Sequence, residues 1–237
     1  MNDVIIGMPE MKSGKALTEA LSVYPVYHEQ IRYESQTVRL LHLSDLYQLY
    51  VPSQMSTEIY SKLYLALLRS MQKKGTQAAI KQQNQNYRAI CCQEYRGILG
   101  GADSFTIIGT SGIGKSSAIN RDLELITDNS IIERTDPYVK IIPCVVGQCP
   151  FDSSVKGLLL EILRKVDEAL ESHYYTDAVR ARATIDMLIG SVSQVALNHI
   201  GMLIVDEIQN VVNSKNGKSL IGSLTQLINN SGISIGM

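Results

Sequence analysis

The sequence lacks the features that would place it in a membrane or outside the cell. None of its apolar runs approaches the roughly 20 residues that a membrane-spanning helix needs. Its first fifteen residues contain two acids, Asp3 and Glu10, and only a short apolar run, which is a poor match to a secretory signal peptide. The net charge is −1, so no overall charge favours nucleic acid as a partner. These absences predict a cytoplasmic protein with no membrane partner.

Cysteine and histidine are scarce and scattered. The four cysteines, Cys91, Cys92, Cys144 and Cys149, lack the C-x-x-C spacing, and a disulfide framework is not expected in a chain of 237 residues. We therefore expect reduced thiols rather than disulfides or a zinc site. Apolar residues make up 45% of the chain, which is ample for a core in one large domain or in one and a half small ones.

One stretch, residues 105–117, carries a clear chemical signature. It reads FTIIGTSGIGKSS and contains Gly109-x-x-x-x-Gly114-Lys115-Ser116, the P-loop pattern. Residues 105–108 predict a buried parallel strand, and helical spacing predicts a helix after Lys115. Glycines let successive N–H groups point at a phosphate chain, and the helix adds the positive end of its dipole. The predicted nucleotide-binding residues are Gly109, Thr110, Ser111, Gly112, Ile113, Gly114, Lys115, Ser116 and Ser117.

A second stretch, residues 202–207, supplies two carboxylates that complement the P-loop. It reads MLIVDE and predicts a central strand with acids at its carboxyl end, where ligands bind in open α/β sheets. Asp206 suits the outer shell of Mg²⁺, and Ser116 supplies a hydroxyl ligand to the same ion. Glu207 suits the general base that orients and deprotonates a water, while Lys115 reaches the β- and γ-phosphates. Lys115 and Glu207 are therefore the predicted catalytic residues.

The other predicted elements of this half alternate between strands and helices. Apolar runs predict strands at 138–146, 202–206 and 233–235, and helical spacing predicts helices at 155–172, 176–199 and 219–229. Pro143 inside the first strand favours a sheet edge or a bulge. The wide gap between the P-loop and the acidic strand is typical of P-loop NTPases that insert a strand between the two motifs. We reject Gly217-Lys218-Ser219 as a second phosphate loop, because Val212 stands where the first glycine is required.

The chain before Gly100-Gly101 predicts a mainly helical extension. The leucines of 40–49 predict a short helix that starts at Ser44 or Asp45, and a longer helix is expected from about 56 to 74, whereas 76–98 is polar and rich in glutamine. Treating the two glycines as a hinge gives a helical region at 1–100 and a P-loop core at 101–237.

One local charge imbalance stands out in this extension. Between Ser61 and Gly97 there are seven basic residues and one acid, Glu94, a net charge of +6 (7 − 1), with three tyrosines among them. The functional interpretation is a surface for a phosphate backbone or an acidic partner. The alternative is a solvated helical face. The basic residues are Lys62, Arg69, Lys73, Lys74, Lys81, Arg88 and Arg96.

Three segments together resemble the AAA+ (ASCE-type) regulator ATPases of bacterial cut-and-paste transposons, the TnsC/TniB-like group. The segments are GTSGIGKSSAINR, CPFDSSVKGLLLEILRKVD and LIVDEIQN, and the similarity extends over about 105–237 with a weaker echo in 40–98. The P-loop and the Asp206-Glu207 pair are generic to AAA+ proteins. The stretch 149–160 and the tetrapeptide 206–209 are more diagnostic.

The resemblance implies a function that the motifs alone do not. Proteins of this group bind ATP and Mg²⁺ and assemble as homo-oligomeric rings or filaments on double-stranded DNA. They receive a TniQ-like target-selection protein, recruit a DDE transposase, and would use the N-terminal extension for partner docking. A complete domain of the group would continue past Met237 with a sensor, an arginine finger and a helical lid. A missing finger can cost ~10³–10⁵ in rate, so we expect slow or no turnover by this chain alone.

Two other classes of function share the same core. One is a helicase-loader or insertion-sequence helper ATPase, which differs in its partner. The other is a scaffold or signalling NTPase that binds proteins but not DNA, and the basic stretch is the feature that discriminates it.

Overall fold

A computed structural model of the chain describes residues 8–91, 93, 97–99, 103–127, 131–135, 138–211 and 214–237. The strands within these ranges are β1 (Ser104–Phe105), β2 (Ile132–Thr135), β3 (Tyr138–Gln148), β4 (Ile200–Asp206) and β5 (Ser234–Gly236). The helices are α1 (Gly14–Leu21), α2 (Gln36–Ser44), α3 (Gln54–Lys73), α4 (Gln77–Ile90), α5 (Lys115–Thr127), α6 (Val155–Leu170), α7 (Tyr174–Arg180), α8 (Ile185–His199) and α9 (Gly217–Ser231). Short 3-10 helices span Glu29–Tyr33, Asp45–Gln48 and Ile208–Val211.

The five strands form one sheet in the order β1-β5-β4-β3-β2. β1, β5, β4 and β3 run parallel, and β2 is antiparallel to β3. β5 therefore lies between the P-loop strand and the acidic strand β4. This placement confirms the predicted α/β class of P-loop NTPase, in which a strand separates the two motifs.

The P-loop strand is less buried than predicted. β1 covers only Ser104–Phe105, although its hydrogen bonding to the end of β5 continues where Ile107 N donates to Met237 O at 2.7 Å. β1 lies at one edge of the described sheet, so only one of its sides is paired. Ile108, predicted to be in a buried strand, is 92% exposed.

Apolar layers cover both faces of the sheet. Side chains alternate along β4, so Met202 and Ile204 pack on one face with α3 and α5, while Leu203 and Val205 pack on the other. Helices α6, α8 and α9 cover the second face. The sheet is therefore enclosed on both faces, as parallel sheets require.

Pro143 lies in the part of β3 that pairs with β4 alone, because the pairing with β2 ends at Ile141, so the edge expected at the proline is observed, whereas the register gives no extra residue for a bulge. Ile141 packs on the α3 face, Ile142 on the α8 face and Cys144 on the α3 face, so the alternation changes phase across the proline. Gly201 lies opposite, and a Cβ there would approach Pro143 O to 2.4 Å. The close contact of the two backbones requires glycine at this position.

Helices α3 and α4 of the N-terminal half are joined to the core. Helix α3 packs on α5, β4 and β5, and Ser234 in β5 donates its hydroxyl to Ala66 O at 2.7 Å. Helix α4 packs on α8, and Asn86 donates to Asn230 O at 3.1 Å. The hinge predicted at residues 100–101 lies outside the described residues.

Two helix predictions need correction. The helix expected at 176–199 is two helices, α7 and α8, separated by a turn in which Arg182 has a φ of 50°. The short helix expected to start at Ser44 or Asp45 is only the 3-10 helix Asp45–Gln48, and α2 precedes it from Gln36 to Ser44. The polar segment after residue 76, for which no element was predicted, forms α4, in which Gln82 and Asn86 are buried and bond to each other at 2.9 Å.

Candidate nucleotide-binding site

The P-loop residues form a tight turn between β1 and α5. Gly112 and Gly114 have φ values of 80° and 94°, which favour glycine, and helix α5 starts where Ala118 N donates to Gly114 O at 2.9 Å. The Lys115 ammonium lies against the inside of the loop, where it donates to Gly109 O at 2.7 Å and Thr110 O at 3.0 Å. The loop thus holds a cation beside the amino end of a helix, which is the arrangement that binds phosphates.

A cleft of about 890 Å³ brings the P-loop and the acidic pair together. Asp206 and Glu207 face the loop across it, and Ile208 and Gln209 extend the same wall. Of the nine residues predicted to bind nucleotide, Thr110 and Ile113 do not line the cleft. The lining P-loop residues are Gly109, Ser111, Gly112, Gly114, Lys115, Ser116 and Ser117.

The acidic pair follows β4 directly and is held by its neighbours. Glu207 has a φ of 57°, a left-handed conformation that costs a non-glycine residue ~1–3 kcal/mol, and its N–H donates to Asp206 Oδ1 at 2.8 Å. The Gln209 amide donates to the Glu207 carboxylate. Two hydrogen bonds therefore fix the Glu207 backbone and carboxylate at the mouth of the cleft.

The turn at residues 149–154 packs beside the acidic pair. Cys149 N donates to Asp206 O at 2.8 Å, and Asn210 donates to Cys149 O at 3.0 Å. Ser154 then caps α6 by accepting from Gly157 N at 3.2 Å. All three segments that carry the resemblance thus meet at the carboxyl edge of the sheet.

The residues at the cleft fit a nucleoside triphosphate with Mg²⁺. The Ser116 hydroxyl and Asp206 carboxylate are oxygen ligands, and Mg²⁺ in phosphate sites is held by one or two such groups together with the phosphates. The ion would neutralise charge on the β- and γ-phosphates when bound. Lys115 would reach those phosphates, and the cleft is large enough for them.

Sequence reasoning missed the role of Lys74. It is buried, its ammonium donates to Ala196 O and Leu197 O, both at 2.8 Å, and burial lowers its pKa to about 7. It caps the last turn of α8, the helix that leads into β4. The sequence did contain a signal of its burial: Leu67, Met71 and Lys74 follow each other at helical spacing, so Lys74 continues the buried face of α3.

Sequence reasoning also missed Asp122 in α5, the helix that follows the P-loop. Asp122 is fully buried, and neither carboxylate oxygen has a hydrogen-bond partner among the described residues. Burial raises its pKa to about 7. Nothing in the sequence distinguishes this buried aspartate from an aspartate on the solvent-exposed face of a helix.

The fold and the site define a P-loop NTPase with a strand inserted between its two motifs. A family model described as an AAA domain matches residues 98–237, so the chain belongs to that family. No curated protein matches the chain. Across the ranges that the structure describes, no helix has both the length and the apolar character needed to cross a membrane.

Proposed function

We propose that the chain is a Mg²⁺-dependent ATPase that regulates DNA transposition. The observation that carries the ATPase part is the placement of Lys115 and Glu207 on opposite sides of one cleft. The Lys115 ammonium would bind the transferred phosphate, and the Glu207 carboxylate would act on the water that attacks this phosphate. The family membership supports nucleotide hydrolysis as the shared chemistry.

Phosphate binding, charge stabilisation and activation of the water are each carried out by a different group of this chain. The backbone N–H groups after Gly109 and at the amino end of α5 bind the phosphates. Lys115 stabilises the charge that develops on them. Glu207 orients the water and accepts its proton. Gln209 positions the Glu207 carboxylate through its amide, so it acts through another residue and not on the substrate.

The transposition part of the proposal is supported by the resemblance of three segments that meet at the carboxyl edge of the sheet. In this role the ATP state would assemble as a homo-oligomer on double-stranded DNA, receive a TniQ-like target-selection protein and recruit a DDE transposase. Hydrolysis would reset the assembly.

The exposure of the basic residues supports one part of the basic stretch as the proposed DNA surface. Lys74 is buried, Arg69 pairs with Asp103, and the remaining charges of the basic stretch are divided between α3 and α4. Glu94 and Arg96 lie outside the described residues. On α4, Lys81 and Arg88 are exposed seven residues apart, which places them on one helix face. This face is the DNA surface that we propose.

The testing experiment measures double-stranded DNA binding by the full chain with a non-hydrolysable ATP analogue, with ADP and without nucleotide. Cooperative binding only with the ATP analogue supports the proposal. Nucleotide binding with no DNA response in any state favours a scaffold or signalling ATPase. DNA binding that loads a helicase but recruits no transposase favours the helicase-loader alternative.

A charge-reversal pair tests the α4 face directly. Lys81→Glu with Arg88→Glu should weaken DNA binding several-fold at low salt and leave nucleotide binding unchanged, because phosphate contacts dominate such affinity. Lys156→Glu with Arg180→Glu, two exposed bases elsewhere, is the matched control. Equal DNA affinity for the two double variants would rule out the α4 face.

A further inference from the structure

Residues 24–49 form an excursion that we call the apolar lobe. Its ends are joined by a bridge in which Val23 N donates to Tyr50 O at 2.9 Å and Tyr50 N donates to Val23 O at 3.0 Å. Between them lie α2 and the 3-10 helices Glu29–Tyr33 and Asp45–Gln48, which pack mainly on one another. All of its residues are described, and each is exposed or half-buried, so the lobe has no core.

The lobe and its base carry a dense set of exposed apolar side chains. Tyr33 and Tyr47 are 91% and 94% exposed. Helix α2 contributes three leucines and has no buried residue. The full set is Tyr24, Val26, Tyr27, Tyr33, Leu40, Leu41, Leu43, Leu46, Tyr47, Leu49 and Val51.

This surface is large enough for a stable interface. The eleven side chains are about two thirds exposed on average. Four are tyrosines, whose side chains bury roughly 150–250 Å² each when covered, and together with the five leucines and two valines they give the lobe, summed over its whole surface, on the order of 1,000 Å² of exposed apolar area. A stable complex needs about 800 Å² from each partner.

The charge of the lobe fits contact with an identical surface. Three acids (Glu29, Glu34 and Asp45) stand against two bases (Arg32 and Arg39). Two of the charged groups bond within the lobe, because Arg32 donates to the Tyr27 hydroxyl at 2.7 Å and Asp45 lies 3.0 Å from His42. With a net charge of only −1 each, two copies can meet with little like-charge repulsion, whereas a nucleic acid or an anionic lipid surface would find no basic patch.

The base of the lobe is anchored to the core of the protein. Arg121 in α5 donates to Leu21 O at 3.0 Å and Ala20 O at 3.1 Å, directly before the bridge at Val23. The surface is thus presented on a fixed support, which lowers the entropy cost of association.

We propose that the apolar lobe is a self-association surface that packs against a second copy of this chain. A net charge of only −1, the apolar area and a fixed base all suit a symmetric contact in which the same patch serves on both partners. Such a contact closes at a dimer, so it is distinct from the ring or filament contacts of the proposed function. It does not require nucleotide or DNA, so it is tested in the absence of both and can fail independently.

The test is sedimentation velocity of the full chain over a wide concentration range, without nucleotide or DNA. The wild-type chain should associate reversibly. Leu43→Ser with Tyr47→Ser should weaken association ~30-fold or more, the effect of losing an interface hot spot. Ile80→Ser with Tyr87→Ser, on α4 and 57% and 65% exposed, is the matched control and should associate like wild type.

Circular dichroism and thermal unfolding of both double variants keep the result interpretable. All four residues are exposed, so both variants should fold like wild type. A wild-type chain that stays monomeric at every concentration overturns the proposal, as does equal association by the two variants. A monomeric chain whose lobe binds neutral lipid vesicles or a different protein also overturns it.

Discussion

The nucleotide cleft and the apolar lobe are both exposed surfaces, but they are built in opposite ways. The cleft is lined by polar side chains and backbone N–H groups at the ends of elements, such as β4 and α5, whose apolar residues pack in the core. The lobe places apolar side chains on short helices with no buried residue. Exposed polar groups on a rigid core predict chemistry, whereas exposed apolar groups without a core predict a partner.

Replacing Lys115 should have the largest effect on the cleft. Lys115→Ala should lower nucleotide affinity by at least ~10²-fold, because charge-assisted hydrogen bonds contribute about 1.5–3 kcal/mol each and this side chain would make more than one. Lys218→Ala is the control, since Lys218 is exposed in a second Gly-Lys-Ser sequence that is not a phosphate loop. Isothermal titration calorimetry distinguishes them, and equal loss in both variants would contradict the assignment.

Replacing Glu207 should separate binding from hydrolysis. Glu207→Gln should retain nucleotide affinity and reduce hydrolysis by ~10²–10⁴, because a positioned general base contributes that much. Single-turnover assays with protein in excess detect even a slow wild-type rate. Hydrolysis at the wild-type rate would show that another group activates the water.

Charge reversal at Lys74 should cost far more stability than charge reversal at an exposed lysine of the same basic stretch. Lys74→Glu should lower the free energy of unfolding by ~3–5 kcal/mol, because it leaves an unpaired buried charge facing the Ala196 and Leu197 carbonyls. Lys81→Glu, which changes an exposed residue, should have little effect. Urea unfolding measures both, and similar stabilities would contradict the burial of Lys74.

Asp122 should make stability depend on pH. Its folded pKa is about 7 against 3.8 unfolded, so between these values the folded state binds more protons and stability falls as pH rises. Asp122→Asn removes that charge, so at pH 8 it should raise the free energy of unfolding by ~1–2 kcal/mol. The gain should disappear below pH 4. A gain that is the same at pH 4 and pH 8 would exclude titration of Asp122 as its cause.

The smallest effect on stability should come from the lobe. Tyr47→Ser should change the free energy of unfolding of the monomer by no more than ~0.5 kcal/mol, as for other exposed sites. Leu67→Ala, at a fully buried position of α3, should cost ~2–5 kcal/mol. Chemical unfolding at low protein concentration compares them. A large cost at Tyr47 would mean that the lobe supports the monomer fold.

Sequence reasoning predicted the sheet and the position of the site because those patterns are local. The P-loop glycines set the turn of their own loop, and they line one cleft with the carboxylates after β4. The left-handed φ of Glu207 and its hydrogen bonds with Asp206 and Gln209 involve near neighbours in the chain, but no sequence pattern indicated them. The exposure of Ile108 follows from the place of β1 at a sheet edge, which the apolar pattern of the strand does not encode.

The N-terminal half was predicted less well, because its residue types do not match their burial. The charge of Lys74 favoured a surface position, although helical spacing placed it on the buried stripe of α3. The inward glutamine and asparagine of α4 are satisfied by bonds that only the folded chain supplies. The leucines of 40–49 predicted a helix but placed its start where α2 ends, and a sequence cannot show that a helix lacks a partner within its own chain.

The packing of α3 on β5 has a consequence for how the chain is made. The hydroxyl of Ser234 bonds to Ala66 O across 168 residues, so the apolar stripe of α3 is completed only when the end of the sheet has been synthesised. At a translation rate of ~5–20 residues per second, β5 is synthesised about 10–30 s after α3, so α3 is without this packing partner for that time. During that interval the leucines of α3 are available to chaperones, and the speed of translation becomes part of the folding yield.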